Sequence, residues 1–435
     1  MSARETALCA LIACRKEAAW SNGILKEYIA RDRLDRRDAA LAARLCYGVL
    51  QNRGLLDHYL KQLLSGKLKD LHPAVRDILH LGLYQIYFLD KIPQSAAVNE
   101  SVDMAKKYCK KQRFAPGLVN GVLRNAVRTF GTLKAPATLE DKYSHPKALI
   151  DQLRSYVGKD RLENMLMANN AIPQTVVQVN TLQITAAALA EKLKEENVDA
   201  QPHEWLPDCL VLSGTGDLEK LPSFQKGDFY VQDGAAKLSI LCAEIPRGAR
   251  VLDCCAAPGG KSFAAAMAGA GSITSCDVHA HKIDLIRSGA QRLNLQNVEA
   301  MQQDATTFNP QWEGKMDVVI ADVPCSGYGI IRKKPDIRYK DPATMAELPL
   351  LQLQILKNQA RYVKPGGVLL YSTCTLVWDE NEGNVKRFLA ENDDFYLEKL
   401  TLPSVFPANT TGMLRLIPGE YDTDGFFIAR LRRKA

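Results

Sequence analysis

The chain has 435 residues, 46% hydrophobic and 24% charged, with a formal net charge of +7. Length of this order accommodates two or three domains with full-sized cores, and the composition is ordinary for a soluble globular protein. No apolar run approaches the ~20 residues that cross a bilayer, so a membrane-spanning protein is excluded as an expectation.

The opening MSARETALCALIACRKEAAW is interrupted by Arg4, Glu5, Arg15, Lys16 and Glu17 and reads as an amphipathic helix rather than a signal peptide, so a cytoplasmic location is expected. Residues 1–140 read as an all-α domain. Apolar residues recur at helical spacing in Ala39–Leu50 and Val75–Ile86, and the last helix is expected at Ala115–Val127, with Pro116 in its first turn. The positive charge is concentrated here: residues 1–145 hold 24 Lys and Arg against 14 Asp and Glu, and the remainder 32 against 35. Lys106, Lys107, Lys110, Lys111, Arg113, Arg124 and Arg128 suit a polyanion such as RNA, or are a solvated helix face.

Residues 132–146, rich in Pro, Thr and charge, read as a linker. A small α+β domain is expected at 145–235, with strands Gln174–Asn180, Cys209–Leu212 and Phe229–Gln232 and a helix at Ala186–Glu196. Over 236–435 strands alternate with helices: Arg250–Cys255, Ser272–Val278, Val298–Asp304, Met316–Val323 and Gly367–Cys374 are strands. Gly260–Ala268, His279–Leu293, Met345–Val363 and Glu380–Asn392 are helices. That alternation predicts a parallel, doubly wound, Rossmann-like sheet. Phe395–Leu400 and Gly425–Arg432 have no helix between them and predict an antiparallel edge hairpin.

Carboxylates close three of these strands: Asp253, Asp277 and Asp304. The turn Ala257-Pro258-Gly259-Gly260 follows the first strand and opens a helix whose N–H groups are available to a ligand. Asp277 lies ~20 residues further on, where such a sheet holds ribose hydroxyls. Asp253 alone is as readily a strand-end turn residue. G-x-G-x-x-G is missing, which disfavours NAD and FAD and suits a ligand without pyrophosphate, such as S-adenosylmethionine.

Two thiols sit past separate strands, in Asp322-Val323-Pro324-Cys325-Ser326-Gly327 and Ser372-Thr373-Cys374-Thr375. Eleven cysteines occur with no C-x₂-C pair, and their odd number favours free thiols in a reducing compartment. Cys254 and Cys255, adjacent on a strand, are expected to face opposite ways and hold no metal. Two cysteines at ligand-binding strand ends point to nucleophilic catalysis through sulfur.

The segments DCCAAPGGKS, ADVPCSGYG and YSTCTLVWDENE resemble the signature segments of RNA (cytosine-5)-methyltransferases of the NOL/NOP/Sun family. Asp38–Leu41, Tyr47–Leu50, Ile92-Pro93, Ala97–Val102 and Gly117–Arg124 resemble the NusB-like RNA-binding domain fused to that unit in its bacterial RsmB (Sun/Fmu) type. The resemblance implies an S-adenosylmethionine-dependent enzyme acting on carbon 5 of a cytosine in small-subunit ribosomal RNA. It makes Cys374 the nucleophile and Cys325 the thiol that assists product release. Cys255, Ala256, Ala257, Pro258, Gly259, Gly260, Lys261, Asp277, Asp304 and Asp322 are the expected cofactor contacts. Asp322 would touch the base or the methionine moiety, and Lys261 would contact the base or hold Asp322.

Thiolate addition at carbon 6 turns the ring into an enamine that attacks a methyl sulfonium, which explains why a cysteine is needed at all. The target must be unstacked to be reached. Arg332-Lys333-Lys334 and Arg338-Tyr339-Lys340 read as a substrate lip with phosphate contacts and a stacking tyrosine. A transfer RNA methyltransferase or a non-catalytic RNA-binding assembly factor are the alternatives; DNA, membrane and oligomeric partners are not expected.

Overall fold

The computed structural model describes residues 1–17 and 21–435. Ala18, Ala19 and Trp20, the end of the expected opening helix, lie outside the described residues. The chain forms two compact units, 1–171 with 331–340, and 172–330 with 341–435.

The first unit is helical: α1 (Ala3–Glu17), α2 (Ser21–Arg31), α3 (Arg36–Leu63), α4 (Pro73–Phe88), α5 (Gln94–Tyr108), α6 (Ala115–Arg128), α7 (Leu139–Tyr143), α8 (Lys147–Val157) and α9 (Lys159–Ala168). Asp35 caps α3 by accepting the Asp38 N–H at 2.8 Å, and Pro73 occupies the first turn of α4. Nearly every residue of α4 from Val75 to Ile86 is buried, so it is the central helix, packed by Leu8, Leu45, Leu56, Leu60 and Leu123. Within the expected linker, Thr138 accepts the Asp141 N–H at 3.1 Å and starts the short α7. Helices α8 and α9, unexpected from the sequence, fall within the expected 145–235 domain and cluster by contact with this unit.

Residues 331–340 correct the expected substrate lip. They belong to the helical unit, where Arg338 is 2% exposed and Ile337 and Arg332 are also buried. A kink at Asn52 breaks α3, and the Leu55 N–H turns to the Ser144 hydroxyl (3.0 Å). The Gln51 carbonyl, which an unbroken helix would pair with that N–H, accepts from the Arg338 guanidinium at 2.8 Å, as does the Asn169 carbonyl. The Tyr339 hydroxyl donates to the Leu50 carbonyl at 3.0 Å. Arg338 and Tyr339 therefore satisfy buried backbone, which a run of basic residues in sequence does not reveal. Burial lowers the Arg338 guanidinium to about 10, still charged at neutral pH. Arg338→Ala orphans those carbonyls and is expected to cost about 3 kcal/mol, read as a lower urea midpoint.

The second unit opens with a small antiparallel sheet of β1 (Thr175–Val179), β2 (Asp199–Pro202), β3 (Cys209–Ser213) and β4 (Phe229–Val231) in the order β2-β3-β1-β4. Its helices are α10 (Ala186–Glu195) and α11 (Pro222–Gln225). The unexpected β2 is an edge strand reading Asp-Ala-Gln-Pro, mostly exposed, with no apolar alternation to betray it.

The main sheet holds β5 (Arg250–Asp253), β6 (Ser272–Asp277), β7 (Val298–Gln302), β8 (Met316–Asp322), β9 (Val363–Thr373), β10 (Phe395–Leu397), β11 (Met413–Leu416) and β12 (Phe426–Arg433). Its helices are α12 (Gly234–Ala243), α13 (Gly260–Met267), α14 (Ala280–Arg292), α15 (Leu348–Ala360) and α16 (Glu382–Glu391). The order β10-β12-β9-β8-β5-β6-β7 is parallel from β9 to β7 and antiparallel around β12. The expected antiparallel pair forms the sheet edge, β10 with β12; β12 also pairs with β9, and the unexpected β11 pairs with its first half. Val318–Ala321 are fully buried, as a strand covered on both faces requires. Strand order reverses between β5 and β8, where sheets of this kind bind ligands.

Among the described residues no helix is long and apolar enough to cross a membrane.

Candidate active site

Neighbouring strands β8 and β9 run parallel with Asp322 opposite Ser372, so the chain leaves both at the same end of the sheet. Cys325 follows β8 by three residues and Cys374 follows β9 by one, which brings their sulfurs to 3.2 Å. Both are free thiols and only half-buried. The loops carrying them are tied together: the Val323 N–H donates to the Ser372 carbonyl (3.2 Å), the Gly329 N–H to the Cys374 carbonyl (3.0 Å), and the Ser326 and Thr375 hydroxyls meet at 2.7 Å. Gly329 has to be glycine, because a Cβ there would lie 2.0 Å from the Gly425 carbonyl oxygen. Either sulfur can be the donor of this contact; the hydrogen bond with Cys374, together with burial, pushes the Cys325 thiol well up.

Asp322 ends β8 beside this pair. Its Oδ1 accepts the Ser372 hydroxyl at 2.7 Å and its Oδ2 the Lys261 ammonium at 2.6 Å. Of the two expectations for Lys261, the geometry is that of a residue holding Asp322; its ammonium also lies 5.1 Å from the Phe426 ring centre. The side chain comes from the first turn of α13, so the glycine turn and the thiol loops are joined through one ion pair.

That turn begins after β5. Gly259 takes φ +114°, which L-residues avoid, and a Cβ there would meet the Phe263 ring at 2.3 Å. Close packing thus requires this glycine independently of any ligand. β5 stops at Asp253, so Cys254 and Cys255 fall in the turn rather than on a strand, and their sulfurs approach to 3.8 Å instead of facing opposite ways. Asp253 is fully buried and accepts the Ser262 hydroxyl at 2.8 Å; burial pushes its carboxyl up to about 7. It serves the strand-end turn. Asp277 ends β6 and accepts the His279 N–H at 3.0 Å through Oδ1, with Lys282 at 3.6 Å. Asp304, two residues past β7, is exposed and accepts the Thr306 N–H at 2.8 Å.

The fold therefore brings Cys325, Cys374, Asp322 and Lys261 together, and sets Asp277 and Asp304 at the same ends of β6 and β7. Two residues that position the thiol loops escaped the sequence reading. The buried Glu380 carboxylate accepts the Ser326 N–H (2.9 Å) and the Gln352 amide (2.8 Å). The Asn381 side chain accepts the Thr373 hydroxyl (2.6 Å) and donates to the Thr375 carbonyl (3.0 Å). A signal was available in Asp-Glu-Asn-Glu so close after Cys374, since acidic and amide side chains there invite local backbone bonds.

A Rossmann-like sheet with strand-end carboxylates, a glycine turn and a thiol pair at its switch point defines a methyltransferase that uses S-adenosylmethionine. The chain belongs to the RsmB/F family: residues 242–432 match the model described as 16S rRNA methyltransferase RsmB/F. Residues 1–128 match the NusB family, and 145–219 the ferredoxin-like domain of RsmF/B-like methyltransferases. The chain is 35% identical to the probable ribosomal RNA small subunit methyltransferase B of Bacillus subtilis, over 100% of this chain and 99% of that one. It is 34% identical to ribosomal RNA small subunit methyltransferase B of Vibrio cholerae, over 93% and 92%. The crystal structure of PH0851 superposes with a TM-score of 0.81 at 25% identity, over 100% and 99% of the two chains. NSun6 from Pyrococcus horikoshii, solved with SFG, shares the fold over 67% of this chain and 98% of its own, with a TM-score of 0.60 at 22% identity.

The residues present fit that cofactor. The hydrogen bond and ion pair that Asp277 makes use Oδ1, which leaves its second oxygen to accept from a diol, and the exposed Asp304 carboxylate lies just past the end of the next strand. Helix α13 starts at Gly259 without a side-chain cap, beside the strand-order reversal.

Proposed function

We propose that the protein methylates carbon 5 of a cytosine in small-subunit ribosomal RNA through a covalent adduct between Cys374 and carbon 6. The observation that carries this reading is the pair of sulfurs 3.2 Å apart at the ends of adjacent parallel strands. Either sulfur can donate in that contact, and the assignment of Cys374 as the attacking atom rests on the resemblance of the segment YSTCTLVWDENE.

S-adenosylmethionine, when bound, supplies the electrophilic methyl group. Asp277 and Asp304 would hold its ribose and adenine side, with Cys255, Ala256, Ala257, Pro258, Gly259 and Gly260 lining the turn. Cys374 adds as a thiolate to carbon 6, forming the C–S bond and moving electron density to carbon 5. Asp322, kept in place by Lys261 and Ser372, faces the base or the methionine group. After transfer the proton on carbon 5 leaves to a base, the C–S bond breaks, and the Cys325 S–H hydrogen-bonds the departing sulfur. The basic excess of residues 1–145 supports the helical unit as the part that grips RNA.

Bisulfite sequencing of small-subunit ribosomal RNA from cells with and without the protein tests the reading. One cytosine protected only in its presence is expected; an unchanged pattern overturns it. Asp277→Ala is expected to weaken S-adenosylmethionine binding by roughly ten- to a hundredfold, equivalent to about 1.5–3 kcal/mol, measured by calorimetry on the folded variant.

A further inference from the structure

Four residues past Cys374 stands Trp378, 43% exposed although Leu376 and Val377 before it are buried. Its backbone is fixed: the Asn381 and Gly383 N–H groups both donate to the Trp378 carbonyl, at 3.1 and 2.8 Å. The ring lies against Gly383, where an added Cβ would come within 3.0 Å of it. Glu380 and Asn381 then fasten the same loop to Ser326 and to Thr373 and Thr375. An indole held this way loses little freedom when something stacks on it. The exposed Lys386, one turn into α16, places its ammonium over the ring, 5.5 Å from its centre, so a base stacking on that face displaces the ammonium toward the phosphate.

We infer that Trp378 is a stacking platform for the nucleotide adjacent to the target cytosine, with Lys386 on that nucleotide's phosphate. Four residues of chain reach at most ~14 Å, which keeps the indole within a nucleotide or two of a base held at Cys374. An unpaired base is the occupant whose chemistry fits both an exposed aromatic face and an adjacent cation. Nothing in the methyl-transfer chemistry uses this residue. The inference rests on the reading of the chain as an RNA methyltransferase.

The test compares Trp378→Ala, Trp378→Phe and Lys386→Gln in the full chain, with a short RNA whose target cytosine is unpaired. Trp378→Ala is expected to raise KM for the RNA roughly ten- to a hundredfold, with kcat and S-adenosylmethionine affinity near wild type. Trp378→Phe should restore most of the loss, and Lys386→Gln should reduce the slope of log KM against log salt by about one. An unchanged KM in Trp378→Ala overturns the inference while the enzymatic reading stands. A fall in kcat with a lowered melting temperature in both tryptophan variants also overturns it, because that marks a purely structural residue. Wild-type protein that methylates no RNA removes the reading beneath it and the inference together.

Discussion

Cys374→Ala is expected to lower methyl transfer to RNA by at least about a thousandfold, while S-adenosylmethionine binding stays at the wild-type level. The reason is chemical. Carbon 5 of cytosine is too poor a nucleophile until a thiolate has added at carbon 6, and the second thiol at the site, Cys325, is assigned to release rather than to attack. Folding should be unaffected, because the strand end is held by backbone and hydroxyl groups: the Cys374 carbonyl by Gly329, and Thr373 and Thr375 by Asn381 and Ser326. Single-turnover assays with labelled methyl groups measure the first quantity and calorimetry the second. Activity near wild type in this variant would reassign the nucleophile.

Cys325→Ala is expected to behave in the opposite sense, accumulating a protein–RNA adduct that migrates slowly on a denaturing gel. The sulfur of Cys374 leaves carbon 6 as a thiolate, and the Cys325 thiol, 3.2 Å away in the resting protein, is placed to donate a hydrogen bond to it. Removing that donor slows release more than attack, so the covalent species builds up. The adduct should vanish when Cys374 is also replaced. An adduct of equal yield without Cys374 would exchange the two roles.

Much of this site can be read from the sequence because its parts are local. Strand ends recur where an apolar run stops at Asp322 or Thr373, and each is followed within three residues by its thiol. The parallel sheet follows from alternating strands and helices, and the resemblance of three short segments is specific enough to place the cofactor turn. What could not be read depends on distant partners. Whether β8 and β9 neighbour each other is a matter of topology, and only their pairing brings the sulfurs together. Glu380 looks like any surface acid until its carboxylate is found buried on the Ser326 N–H. β11 and β2 are four-residue strands whose formation depends on what they pair with. The largest misreading, the basic run 332–340, has the same origin. A solvated phosphate-binding loop and a buried guanidinium bonded to carbonyls have the same sequence signature, and the kink at Asn52 that frees Gln51 is nowhere near it in the chain.

That decapeptide also sets the order in which the protein can be completed during synthesis. The helices α1 to α9 of the first unit are all translated by Ala171, but its Ile337, Arg338 and Tyr339 follow only after β1 to β8 have been made. At the ~5–20 residues per second of a ribosome, the intervening chain takes roughly 8–34 s. Through that interval the carbonyls of Leu50, Gln51 and Asn169 await their partners and must be served by water. The first unit to leave the ribosome is therefore among the last to reach its final packing. For the same reason a single cut does not separate the two units: removing residues 1–140 would take the Gln51 and Leu50 carbonyls from Arg338 and Tyr339 and expose the apolar, buried Ile337.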